Sequence, residues 1–300
     1  MNESKIVTID VGFPALGRIF TEMERLGISR NFDRQLDTAS LPFIDVVIIG
    51  AWWPEATLVA STLRDRYKKR VWVLWASPLL QAELSVAEID YLPWIKRLIK
   101  EETIEYVLTG SQEMVEYFGE RSRFIKYPLS MKPLPRIDAQ MGHAGLFGPI
   151  HYRKNILHQL MALSKDFTIH TGPIDGAYKN FAQSLGVRLI EHPWLPEEEF
   201  YKLVASMEFG LQCSVPGVES FSYTVYDFLQ MDRPVISTVE WLQENWSGFR
   251  YPDIRSAIER LRKEPREKYH YRRMAEKMLV EHNEGFRKTI ADLYNSPAIH

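Results

Sequence analysis

Short runs of β-branched and aliphatic residues alternate with segments of helical apolar spacing along nearly the whole chain. The runs at 5–11, 45–50, 70–75, 106–109 and 124–127 have strand length and little polar alternation, as buried parallel strands do. Between them, Ile19, Phe20, Met23 and Leu26 fall on one face of a predicted helix, and further helices are predicted over 55–67 and 112–118. Ser85 and Glu88 form a capping box that opens a helix carrying Tyr91, Trp94, Ile95 and Leu98. The segment 128–141 breaks this rhythm: Pro128, Pro133 and Pro135 lie among polar residues with no apolar period, which predicts a linker. The alternation then resumes, with strands at 145–148, 167–170, 187–190, 209–213 and 234–237 and helices at 155–164, 178–185, 196–207 and 223–230. Pro196 and the acids Glu197, Glu198 and Glu199 suit a first helical turn, where a missing N–H costs little and the dipole favours negative charge. Two polar, helix-rich segments, 254–263 and 269–294, close the pattern.

Such alternation predicts an α/β fold of two Rossmann-like domains facing a cleft. The first is expected over 1–140 with about five strands and the second over 141–300, the last helix crossing back to the first domain. A length of 300 residues supports two domains, and 45% hydrophobic with 25% charged residues is a soluble globular composition. A net charge of −2 supplies no overall basic field for nucleic acid. The single cysteine, Cys213, excludes an internal disulfide, suits a reducing compartment and is expected to pack at a strand end. No signal-peptide core and no apolar run of the roughly 20 residues a membrane span needs is seen, so a cytoplasmic location is expected. The basic clusters at 64–70 and 269–273 read first as solvated surface and second as a peripheral membrane or polyanion contact. The eight histidines show no metal-ligand spacing, so no metal and no cofactor is expected. His151 and His192 both read as structural or ligand-adjacent residues before catalytic ones.

The stretch 215–236 carries the most chemistry. Glu219 sits in a small-residue loop; Ser222, Tyr223 and Thr224 begin a predicted helix; Asp227 follows one turn later on the face of Tyr223 and Thr224. Free N–H groups and the positive dipole end at a helix start suit phosphate, and flanking carboxylates suit vicinal hydroxyls. Lys154, between a strand and a helix, adds a full charge from another strand end.

In order and spacing, 145–239 resembles the donor half of glycosyltransferase family 4, retaining nucleotide-sugar enzymes of the GT-B fold. Gly148 to Asn155 resembles the family's strand–glycine–arginine–loop–lysine pattern, with Lys154 in the lysine position and Arg153 beside it. Thr171 and Gly172 stand at its glycine-containing loop. His192 to Trp194 lies at the segment that contacts the base, and 219–222 at the family's Glu-Gly-Phe-Gly. The resemblance implies catalytic roles for Glu219 on donor-sugar hydroxyls and Lys154 on the diphosphate. It implies donor contacts at Gly148, Arg153, Thr171, Gly172, His192, Trp194, Ser220, Phe221, Ser222, Tyr223 and Thr224, and a ribose contact at Asp227. It implies a nucleotide-sugar donor, no metal, and retention by front-face attack.

Four positions depart from the pattern: Pro149 replaces a phosphate-binding arginine, Ser220 and Ser222 replace glycines, and Asp227 replaces a glutamate. Residues 1–142 contain no histidine, although many family members place one near the reacting sugar. On the acceptor side the candidates are Gly12, Trp52, Trp53 and Ser77, with core or loop packing as the ordinary reading of the tryptophans. The acceptor stays open among a glycan, a lipid-linked sugar, a protein or a nucleic acid such as modified DNA. The alternative class is a donor-binding or scaffold protein without turnover; a nucleotide-sugar epimerase would need acids and a histidine in the first half.

Overall fold

The computed structural model describes residues 5–10, 14–33, 38–50, 56–83, 86–148, 154–163, 166–215, 221–237, 254–263 and 270–297. The chain divides into two compact units, Met1–Ser130 with Leu279–His300, and Met131–Met278.

The first unit is built on a six-stranded sheet. Its elements are β1 (Ile6–Asp10), α1 (Pro14–Arg25), β2 (Arg30–Asp33), β3 (Val46–Gly50), α2 (Ala56–Asp65), β4 (Arg70–Trp75), α3 (Leu79–Glu83), α4 (Val86–Lys100), β5 (Tyr106–Thr109), α5 (Gln112–Phe118) and β6 (Ser122–Phe124). The strand order is β2-β1-β3-β4-β5-β6, and every neighbouring pair is parallel. The central strands β3 and β4 are buried almost throughout, which their continuous apolar sequence requires. On one face of this sheet Val7, Ile9, Val47 and Ile49 pack with Ala60 and Leu63, and further across the same face Val73, Trp75 and Val107 pack with Leu92, Ile95, Leu98 and Met114. In α4, Ile95 and Leu98 are buried, whereas Trp94 is half-exposed.

The second unit has a five-stranded sheet: β7 (Gln140–Leu146), β8 (Thr168–Thr171), β9 (Arg188–Glu191), β10 (Met207–Gln212) and β11 (Val235–Ser237). Its helices are α6 (Ile156–Ala162), α7 (Gly176–Ser184), α8 (Glu197–Ala205), α9 (Tyr223–Gln230) and α10 (Ile254–Lys263). The order β11-β10-β7-β8-β9 is again parallel throughout. The chain runs outward from β7 through β8 and β9, then returns to β10 on its other side. The strand order therefore reverses between β7 and β10, the crevice where ligands bind in such sheets. A last helix, α11 (Tyr271–Asn295), runs through the division point, so its residues from Leu279 group with the first unit.

These elements match the alternating pattern of the sequence, with several differences, among them the short α3, which no apolar period announces. The first sheet has six strands, because Arg30–Asp33 pairs with β1 although its polar ends hide it from any apolar pattern. The sixth strand begins at Ser122, ahead of the apolar run at 124–127. β7 begins at Gln140, and its polar first half contains a register shift against β10 at Gly142, whose φ is 78°. The sequence places the boundary at 140/141, with the last helix crossing back to the first domain; the compact units are Met131–Met278 and Met1–Ser130 with Leu279–His300. Within the second unit the proline-rich stretch is bound down: Arg233 donates to the Ile137 carbonyl at 2.8 Å, and the Lys132 amide donates to Gln230 Oε1 at 2.9 Å.

Candidate functional site

The β7–β10 reversal is held open by glycine. Gly145 and Gly210 face each other in register. A Cβ on Gly145 would lie 2.6 Å from the Phe228 ring, and one on Gly210 would lie 2.5 Å from it. Glycine inside a strand marks a close approach; here the aromatic ring of α9 presses onto the bare backbone of both strands. Phe147 stacks on Phe228 with ring centroids 6.2 Å apart. This packing fixes α9 against the strand pair and sets where its N-terminus emerges.

That N-terminus lies at the end of β7. Gly148 has φ 103°, a conformation closed to most side chains, and a Cβ there would lie 3.6 Å from Thr224 Oγ1. Ser222 is the N-cap residue of α9, but its side chain makes no capping hydrogen bond. Phe221 packs edge-on against Tyr223, centroids 5.2 Å apart. The structure thus brings Gly148, Ser222, Tyr223 and Thr224 together, as the sequence anticipates.

Lys154 follows β7, in a turn just before α6. Asn155 takes the left-handed conformation there, φ 54° and ψ 40°. Gln159 Nε2 donates to the Lys154 carbonyl at 2.6 Å, and Gln159 Oε1 accepts from the Cys213 amide at 3.2 Å. Cys213 is fully buried just beyond β10; burial pushes its thiol up to about 12, so it stays protonated and unreactive.

Thr171 ends β8 beside Leu146 of β7, and its carbonyl accepts from the His192 amide at 2.8 Å. Among the described residues its buried hydroxyl has no hydrogen-bond partner, and, the chain neighbours of Gly172 aside, no atom lies within 4 Å of where a Cβ on Gly172 would sit. His192 closes a row of three imidazoles: His143 Nδ1 lies 2.8 Å from His170 Nε2, and His170 Nδ1 lies 2.8 Å from His192 Nε2. Burial, then the neighbouring imidazoles and Arg188, lower His170 to about 4; burial also lowers His192. Trp194, two residues on, is 77% exposed.

Asp227 is only 2% exposed. Its Oδ1 accepts from the Tyr201 hydroxyl at 2.9 Å and from Gln230 Nε2 at 3.0 Å, which ties α9 to α8. Placing an acid one turn into α9 was legible; its engagement by Tyr201 was not, because the pairing joins helices 26 residues apart. Gln159 was missed although it shares the buried face of α6 with Ile156 and Leu160, a polar residue at apolar helical spacing. The histidine row was missed because its members lie on three separate strands or strand ends.

Glu219, Ser220, Arg153, Pro149, His151, Gly12, Trp52 and Trp53 lie outside the described residues. Ser77 belongs to the first unit, where its hydroxyl accepts from Gln81 at 2.9 Å and its carbonyl from the Trp75 indole at 2.7 Å. Among the described residues no group of three or more His, Cys, Asp or Glu side chains is placed to hold a metal ion, and no helix is long and apolar enough to cross a membrane.

No protein-family model and no curated protein matches the sequence. By fold, the chain is similar to solved glycosyltransferases. HepE from Anabaena in complex with UDP-glucose superposes with a TM-score of 0.67 at 14% identity, over 96% of this chain and 99% of that one. An alpha-glucosyltransferase in complex with UDP-glucose and DNA containing an abasic site gives 0.67 at 11% identity, over 97% and 99%. TarM, also solved from S. aureus with UDP, gives 0.63 at 9% identity over 84% of this chain, which spans 55% of TarM's length. The fold is the α/β architecture of these proteins, two parallel sheets with interleaved helices as in GT-B glycosyltransferases.

Proposed function

We propose that this chain is a glycosyltransferase that takes its sugar from a nucleotide-diphosphate sugar bound at the β7–β10 crevice of the second unit. The observation that carries the reading is the meeting, at that reversal point, of the left-handed Gly148 turn with an α9 N-terminus whose cap residue, Ser222, makes no capping hydrogen bond through its side chain. Backbone N–H groups and a positive dipole end suit a diphosphate, and Gly148 lets the backbone come close. Lys154 adds a full positive charge, so the charge on the departing diphosphate is met without a resident metal. The UDP and UDP-glucose in the HepE complexes, and the UDP-glucose of the alpha-glucosyltransferase, make uridine the first nucleotide to test.

In the proposed reaction the bond between the anomeric carbon and the β-phosphate oxygen breaks. The acceptor hydroxyl oxygen bonds to the anomeric carbon on the same face. Its proton passes to the departing diphosphate, which leaves as the free nucleotide. Glu219 is assigned to the sugar hydroxyls, and His192 with Trp194 to the base.

A second reading is favoured by Asp227: with Oδ1 engaged by Tyr201 and Gln230, its grip on a ribose is reduced, as in a donor-binding protein without turnover. Thermal-shift screening against UDP, ADP, GDP and their glucose conjugates separates these outcomes. The transferase reading expects stabilisation by one nucleotide series, and slow hydrolysis of its sugar conjugate that falls at least about a hundredfold in Glu219→Ala or Lys154→Ala. Binding without hydrolysis or transfer supports the second reading, and no nucleotide binding by calorimetry overturns both.

A further inference from the structure

We infer that Gln159 is a positioning residue that holds the Lys154 turn against the end of β10, and that the strength of diphosphate binding depends on it through Lys154. The inference rests on the donor-site reading above but adds a residue that neither motif nor fold likeness points to.

Gln159 is 1% exposed on the inner face of α6, between Ile156 and Leu160. Burying an amide is costly unless both its ends are matched. Here both are. Nε2 donates to the Lys154 carbonyl at 2.6 Å, and Oε1 accepts from the Cys213 amide at 3.2 Å. Its own backbone amide also donates to the Asn155 carbonyl at 3.2 Å. The two side-chain partners are of opposite kind, a carbonyl and an N–H, so they fix the orientation of the amide.

The two partners come from the two strands that flank the reversal. The Lys154 turn follows β7 in the chain, and Cys213 continues β10 toward the segment of sequence that carries Glu219. One side chain therefore couples the exits of both strands. It does so where Asn155 holds a left-handed backbone, a conformation that needs surrounding bonds to persist. No other uncharged side chain of this length both donates and accepts. Glutamate keeps the acceptor for Cys213 but sets a negative oxygen against the Lys154 carbonyl; methionine fills the volume with neither bond.

The test is a double-mutant cycle on the full chain, with UDP as the probe and calorimetry as the readout. Gln159→Met is expected to weaken UDP about tenfold in the native background and to change it less than twofold in Lys154→Ala, because its effect passes through that lysine. Gln159→Glu is expected to weaken binding as well and to cost more thermal stability than Gln159→Met, because it buries a carboxylate against the Lys154 carbonyl. Amide exchange without ligand supplies the second arm: exchange at the Cys213 N–H should accelerate at least about tenfold in Gln159→Met, which removes the acceptor, and less in Gln159→Glu, which keeps it. Equal losses of affinity in both backgrounds would mean a purely structural glutamine and overturn the inference. So would an unchanged Cys213 exchange rate. If the native chain binds none of UDP, ADP and GDP while Cys213 exchange responds as expected, the donor-site reading fails and the tie between the strand ends stands; if it binds ADP or GDP instead, the same cycle is read with that nucleotide.

Discussion

Phe228 depends on the absence of two methyl groups. With Cβ atoms at Gly145 and Gly210 its ring would have no place, since carbons cannot sit 2.5–2.6 Å apart. Gly210→Ala is therefore expected to destabilise the fold by about 1–3 kcal/mol, the usual range for overpacking. Adding Phe228→Leu should return part of that loss, because the smaller side chain gives the new methyl room. Urea denaturation of the single and double variants checks this, and a double variant no more stable than Gly210→Ala would show that the ring is not the obstacle. At this scale the sequence is partly legible. Gly148, Lys154 and the start of α9 stand in a readable order, and Tyr223–Gln230 is predicted to the residue. The glycines were visible too, but what each makes room for was not: Gly210 and Phe228 meet only after a strand has turned back into a helix.

The histidine row joins three elements, β7, β8 and the residue following β9. Each N···N contact of 2.8 Å holds one proton, and three neutral rings supply three protons for two contacts and one outer nitrogen. A fourth proton fits at the other end of the row. A fifth must enter a contact and break it. Arg188, on β9, and the neighbouring imidazoles oppose added charge at His170, and burial opposes it more. His170 thus titrates at about 4 when folded, against 6.5 for the free group. Its stabilising contribution is complete above pH 6.5 and is lost as pH falls toward 4, because the unfolded chain takes up the proton first. His192 and the buried His282 shift in the same direction. Unfolding free energy measured in urea is expected to fall by about 2 kcal/mol from pH 7.5 to pH 5, with much of the slope absent in His170→Asn. A flat profile would contradict the row. At the element scale the apolar strands and amphipathic helices could be read because each carries its own periodic signal. β2 could not, since Arg30 and Asp33 bracket only two residues and its pairing is set by β1.

Over the whole chain, the C-terminal helix completes the first unit. Phe286, Ile290 and Leu293 are buried there. Asn283 donates to the Leu129 carbonyl and accepts from its amide, both at 2.9 Å. Arg70, paired with buried Glu105, donates to the last carbonyls of α11 at Leu293 and Tyr294. Tyr294 donates to Asp45; burial and that bond push its hydroxyl up to about 12, so it remains a donor at working pH. Three buried apolar side chains at about 1.5–3 kcal/mol each rival the 5–15 kcal/mol that holds a whole domain together. Truncation after Met278 is therefore expected to unfold the first unit, seen as loss of the emission and near-ultraviolet dichroism of Trp72 and Trp75. A truncated chain with native tryptophan spectra would refute that. The outer strands of both sheets have a different consequence, for solubility. Three of the four margin strands carry arginine: β2, β6 and β9 hold Arg30, Arg123 and Arg188, whereas β11, three residues long, holds no charge. A bare strand margin invites a second chain to add itself as the next strand, the first step of aggregation, and fixed charge on a short strand discourages it. The polar ends that hid β2 from the apolar pattern are thus also what lets it lie at a margin without recruiting another molecule.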